Sequence, residues 1–234
     1  HQFINSNEVE EIVFTKGTSE GINLIAQAYG RKFLKEGDEV LITGMEHHSN
    51  IVPWQMVCEQ VGATLKVIPV DQNGEISIDQ FASLLSEKTK IVSAVYISNS
   101  LGTINPVPEM IELAHKVGAK VLVDAAQAAP HHKLDVQKLN CDWMAFSAHK
   151  MYGPTGVGVL YGKRQVLEKM DPYQGGGEMI REVTFNGTTY NDIPYKFEAG
   201  TPNIADVVAF KAAIEFMNEI GFEYLHKQEQ ALLN

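Results

Sequence analysis

The sequence predicts an α/β fold: a three-layer αβα arrangement around a mainly parallel, mixed sheet. Short runs rich in Val and Ile alternate with longer helical segments, and residues 91–123 read as strand, helix, strand at the lengths of a crossover unit. With 234 residues and 44% hydrophobic content, the chain can also bury a substantial apolar interior.

Taken in order, the first strand is Glu11-Ile12-Val13-Phe14, followed by Thr15-Lys16-Gly17-Thr18-Ser19-Glu20-Gly21-Ile22-Asn23-Leu24. Gly17 permits a tight turn, and Thr18, Ser19 and the free amides of a new helix form a cradle for a phosphate. Ordinary capping by Thr18 or Ser19, with Glu20 near the positive helix end, explains the same residues. The spacings of a P-loop and of a dinucleotide fingerprint are absent.

Glu39-Val40-Leu41-Ile42-Thr43 is the next strand, and Met45-Glu46-His47-His48-Ser49-Asn50-Ile51-Val52-Pro53-Trp54 follows it. Adjacent histidines on a loop point in different directions, so one of them at most serves a given site. A flat imidazole can stack on a pyridine ring and carry protons near neutrality. Residues 64–70 and 91–97 are further strands, Asp71-Gln72-Asn73-Gly74 is a turn, and residues 107–117 form the returning helix.

The run Lys120-Val121-Leu122-Val123-Asp124-Ala125-Ala126-Gln127 puts a carboxylate at the carboxyl end of an apolar strand. That is where ligands bind in α/β sheets, and such a carboxylate can keep a pyridine nitrogen protonated. Gln127 reaches the same cavity if the chain turns into a helix; Asp124 could equally be a helix cap.

Trp143-Met144-Ala145-Phe146 reads as a buried strand leading into Ser147-Ala148-His149-Lys150-Met151-Tyr152-Gly153-Pro154, and Val157-Gly158-Val159-Leu160-Tyr161 as the return. Lys150 is then pinned by two strands at the edge of a sheet, where it could form a Schiff base. A surface lysine whose stem covers apolar area is the alternative. Gln174-Gly175-Gly176-Gly177-Glu178 lacks a nucleotide loop's lysine and reads as a flexible loop at a site rim or subunit boundary. Residues 204–220 and 224–233 read as helices separated by Gly221.

Composition excludes several classes of function. A formal charge of −10, from 29 acidic and 19 basic side chains, disfavours broad nucleic-acid affinity. No apolar run approaches membrane-spanning length and no secretory signal opens the chain. The two cysteines, Cys58 and Cys141, form no disulfide framework and no paired ligand motif, which suits a reducing, cytoplasmic setting. His47-His48 and His131-His132 lack the spacing of a helical zinc site, so no metal is expected.

Together these segments resemble the cysteine desulfurases of the SufS type, within the class V aminotransferase-like group of fold type I pyridoxal-phosphate enzymes. The matching stretches are residues 17–24 and 45–54, Ser98-Asn99-Ser100-Leu101-Gly102-Thr103, residues 123–127, Ser147-Ala148-His149-Lys150 and Phe197-Glu198-Ala199-Gly200-Thr201-Pro202-Asn203. The resemblance implies pyridoxal 5'-phosphate as cofactor and Lys150 as its Schiff-base lysine and proton shuttle. It implies His47 as the stacking residue, Asp124 as partner of the pyridine nitrogen and Gln127 as donor to the phenolic oxygen. Ser19, Ser147, His149 and the Thr18 backbone resemble the phosphate-binding group. Asn99 resembles the asparagine at the cofactor edge, and Thr201 a residue lent to the phosphate by the other subunit of a homodimer. Family members of this type mostly have Thr in place of Ser19 and Gly in place of Ala125 or Ala148; a hydroxyl survives at position 19.

The implied reaction converts L-cysteine to L-alanine and passes sulfur to an enzyme persulfide, then to an acceptor protein of iron-sulfur cluster assembly. By the same resemblance, residues 1–203 are the cofactor-binding large domain and residues 204–234 lead toward a smaller one. Sequence is expected to precede His1, and the persulfide cysteine and carboxylate-binding arginine are expected beyond residue 234, so the isolated piece is expected to turn over little or no cysteine. A related aminotransferase, a selenocysteine lyase, or a silent scaffold of the same fold are the alternatives.

Overall fold

The computed structural model describes residues 1–233. Nine strands are formed among them: β1 (Ile12–Thr15), β2 (Glu39–Thr43), β3 (Thr64–Ile68), β4 (Thr89–Val95), β5 (Lys120–Asp124), β6 (Trp143–Ser147), β7 (Gly158–Gly162), β8 (Ile180–Thr184) and β9 (Gly187–Tyr190). The first seven make one sheet in the order β1-β7-β6-β5-β4-β2-β3. Pairings β2–β3, β2–β4, β4–β5 and β5–β6 are parallel, and β7 runs antiparallel to both β6 and β1.

The main helices are α1 (Thr18–Ile25), α2 (Val52–Val61), α3 (Ile78–Leu84), α4 (Val107–Lys116), α5 (Ile204–Ile220) and α6 (Phe222–Leu233). Central strands are buried on both faces, yet their side chains still alternate between two separate cores. Val121 and Val123 of β5, with Met144 and Phe146 of β6, join the core containing Phe81, Met110 and Phe210. Leu122, Trp143 and Ala145 point the other way, to Ile22, Ile25, Trp54 and Val57. Thus α1 and α2 cover one face while α3, α4 and α5 cover the other, which makes the three layers. Each large side chain fully buried in this way contributes roughly 1.5–3 kcal/mol.

Strand order places the site. From β2 the chain moves outward to β3, and from β4 it progresses through β5 to β6 in the opposite direction. The helices following β2 and β4 lie on opposite faces, so the loops at the carboxyl ends of these neighbouring strands separate and open a crevice.

One expectation needs correction, and one alternative falls away. Lys150 follows β6, and both β6 and β7 are interior strands, so the lysine stands on the carboxyl-end rim of the sheet and not at its edge. Asp124 caps no helix: its Oδ1 accepts the Ala126 N–H at 2.9 Å in a tight turn, and Gln127 sits at the start of the short helix Ala128–His131. The hairpin β8–β9 is an additional element; its turn exposes Phe185, and all of β9 faces solvent.

Candidate active site

Four strand ends and one helix start build a single cavity of about 190 Å³. Its lining contains Thr18 and Ser19 from α1, His47 after β2, Asn99 after β4, Asp124 at the end of β5 with Gln127 beyond it, and Ser147 at the end of β6 with His149 and Lys150 beyond it. Nine of the ten residues singled out from the sequence therefore meet in one place. Thr201 does not; it lines a separate depression with Lys16, Glu20, Gln174 and Asn203.

One end of the cavity is set by close backbone packing. Gly17 has φ +154°, a conformation that favours glycine, and a Cβ on Gly158 would lie 2.4 Å from the Gly17 Cα. Without side chains, β7 and the turn before α1 come into contact. The Ser147 hydroxyl accepts the Thr18 N–H at 2.8 Å and shares a 2.7 Å hydrogen bond with the Thr18 hydroxyl. These bonds tie the start of α1 to the end of β6. The amides of the first helical turn have no intrahelical acceptors and carry positive dipole character, which is what a phosphate requires.

At the other end, Asp124 is almost completely buried. Burial raises its pKa, opposed by the Ala126 N–H and by the nearby Lys150 and His47. A buried carboxylate of this kind calls for a cationic partner, and the protonated nitrogen of a pyridine ring fits. His47 is oriented from its own loop: the Ser49 N–H reaches Nδ1 at 3.2 Å and the Ser49 hydroxyl lies 2.8 Å from it. Because a backbone N–H can only donate, Nδ1 is an acceptor and the neutral ring carries its proton on Nε2.

Sequence reading passed over three contributors. Ser49, Val95 and Ala126 line the same cavity. Ser49 stood inside a segment already singled out, and its position two residues after His47 is the signal for a local side-chain turn. Glu46 is buried at the base of the same loop, and burial pushes its carboxyl up to about 8 against hydrogen bonds from Thr43, Val95 and Asn50. Its type and position next to His47 were visible, but its burial was not.

Cys58 and Cys141 are both buried, and burial pushes their thiols up to about 11 and about 12. Neither is a thiolate near neutrality. Among the described residues no group of three or more His, Cys, Asp or Glu side chains is arranged to hold a metal, and no helix is long and apolar enough to cross a membrane.

Comparisons with known proteins give the family and the fold. The aminotransferase class-V family profile matches residues 1–234. A protein of Halalkalibacterium halodurans described as a probable cysteine desulfurase is 54% identical over 231 residues, covering 99% of this chain and 57% of the relative. The crystal structure of the Escherichia coli cysteine desulfurase CsdA superposes with a TM-score of 0.93 at 43% identity, covering 95% of this chain and 56% of that one. A variant of C-DES with glycine covalently linked to its PLP cofactor gives a TM-score of 0.84 at 25% identity, over 94% of this chain and 58% of that one. The chain spans a little over half the length of each of these three proteins.

Proposed function

Because the chain belongs to the aminotransferase class-V family, we propose that it is the cofactor-binding part of a pyridoxal-phosphate-dependent cysteine desulfurase, which converts L-cysteine to L-alanine and transfers the sulfur to an enzyme persulfide. The observation that carries this reading is the convergence of Lys150, Asp124, Gln127, His47 and the Ser147–Thr18 cradle on one cavity. A scaffold needs the fold but not this chemical set.

Pyridoxal phosphate supplies, when bound, an electron sink conjugated with the substrate Cα. In this chain Lys150 is its covalent anchor and takes up and returns the Cα proton. Asp124 holds the proton on the ring nitrogen, and Gln127 donates to the phenolic oxygen. His47, its Nδ1 held by Ser49, would stack against the ring. Ser19, Ser147, His149 and the Thr18 backbone hold the phosphate, while Asn99 contacts the cofactor edge. Thr201, distant from its own cavity, serves the phosphate site of the second subunit of a homodimer.

Sulfur transfer needs a thiolate that attacks the substrate sulfur as the Cβ–S bond breaks. The protonated, enclosed thiols of Cys58 and Cys141 cannot supply it, so in this reading the persulfide cysteine lies outside residues 1–234. Onward delivery to an acceptor protein of iron-sulfur assembly, in the cytoplasm, completes the proposal. The test compares full-length protein and this 234-residue chain, both loaded with pyridoxal phosphate and given L-cysteine. Full-length protein is expected to form alanine and bound sulfane sulfur, and the chain alone to perturb the cofactor absorbance without releasing alanine. No spectral response to L-cysteine in either protein contradicts the reading.

A further inference from the structure

We infer that Glu46 is a positioning residue: a buried carboxyl group that ties the His47 loop to the end of β4 beside Asp124, and whose charge state acts on Asp124. The inference rests on the pyridoxal-phosphate reading for its consequence, since Asp124 and His47 are the groups proposed to meet the cofactor ring.

The donors around Glu46 are determined by chemistry. The Val95 N–H donates to Oε1 at 2.9 Å and can do nothing else. Asn50 Nδ2 donates to Oε2 at 2.6 Å. Its orientation is fixed because Asn50 Oδ1 accepts from the Trp54 indole N–H at 2.9 Å and from the Ser93 hydroxyl at 2.6 Å, and an indole N–H only donates. The third partner, the Thr43 hydroxyl at 2.5 Å from Oε1, can donate or accept.

The network consequently tolerates both charge states. An ionised Glu46 accepts three hydrogen bonds; a neutral one accepts two and donates its own proton to Thr43. Burial favours the neutral form, and Asp124 adds a repulsion that raises the Glu46 carboxyl further. Two buried carboxyl groups thus lie near each other, Asp124 in the cavity lining and Glu46 outside it, and burial opposes the ionisation of Asp124 while Lys150 and His47 favour it.

Each bond also has a structural address. Val95 pairs with Asp124 in the β4–β5 register and lines the cavity, and Glu46 is covalently joined to His47. The groups of this network on β4, on α2 and on the loop before α2, namely Val95, Ser93, Trp54 and Asn50, do not titrate. The titratable group that acts on Glu46 is Asp124 from β5, and Lys150 from the β6–β7 connection and His47 from the loop act in turn on Asp124. Ionisation of Glu46 adds a second negative charge beside Asp124, which would favour a protonated ring nitrogen.

The experiment labels Glu and Asp side chains with ¹³C and follows the folded chain by NMR across the interval around pH 8, without cofactor and then with pyridoxal phosphate. In the wild type the Glu46 carboxyl carbon titrates in that interval and the Asp124 carboxyl carbon moves with the same midpoint. Glu46→Gln loses the Asp124 step. With pyridoxal phosphate bound, its absorbance carries the same step in the wild type and lacks it in the variant. A Glu46 carbon silent through that interval, or an Asp124 signal that ignores it, overturns the inference; the wild-type measurement decides this even if the variant does not fold. Failure to bind pyridoxal phosphate would instead sink the proposed function, while the cofactor-free titration would still report whether Glu46 acts on Asp124.

Discussion

Residues were legible in the sequence where local order alone gives them meaning. Asp124 ends an apolar strand, Lys150 follows another, and Ser147 and His149 accompany it; strand polarity sends all four to the same rim. Glu46 was illegible because its neighbours Val95 and Ser93 come from a strand that begins more than 40 residues later. Its titration affects stability with a definite sign. An exposed carboxyl in the unfolded chain titrates near 4.5, whereas in the fold Glu46 titrates at about 8. Between these values the native protein keeps a proton that the unfolded chain has released, so this contribution is complete below pH 4.5 and is lost as pH rises through 8. Urea unfolding of Glu46→Gln should show the variant gaining on the wild type over that interval, by on the order of 5 kcal/mol. A constant difference would mean that Glu46 is ionised in the fold.

At the scale of elements, β2 and α5 appear with the bounds that residue pattern alone suggests, while strand β4 stops at Val95 because the chain turns to pair Ile97 with Ile104. Hairpin β8–β9 was missed although Asn186-Gly187 between β-branched residues is a hairpin signal. It buries no alternating face, so periodicity had nothing to report. The contact between β7 and the turn before α1 is equally invisible in one dimension, and it makes a sharp prediction. Gly158→Ala forces a Cβ to 2.4 Å from the Gly17 Cα, where backbone on both sides must move. This substitution should cost about 3 kcal/mol of stability and weaken binding of pyridoxal phosphate. Gly175→Ala, with nothing within 4 Å of the added carbon, should stay within about 0.5 kcal/mol. Urea denaturation and cofactor titration of the two variants side by side check both statements.

For the whole molecule, the alternation of strands and helices was sufficient for the fold class, since a parallel sheet covered on both faces is the outcome of repeated crossovers. The strand order, and the interior position of the β6–β7 pair that holds Lys150, required the structure. So did the state of the two cysteines, each sealed in a core on one side of the sheet. Their enclosure predicts that a thiol reagent modifies neither Cys58 nor Cys141 in the native chain on a timescale that labels both in urea, as a timed mass-spectrometric comparison would read. Rapid native labelling of either would return it to candidacy as the sulfur acceptor. The central claim is that this cavity anchors pyridoxal phosphate through Lys150. Its most direct test is borohydride reduction of the protein with pyridoxal phosphate, followed by peptide mapping: the account predicts one reduced adduct, on Lys150, absent from a folded Lys150→Ala variant. An adduct on another lysine, or none on folded protein, would contradict it.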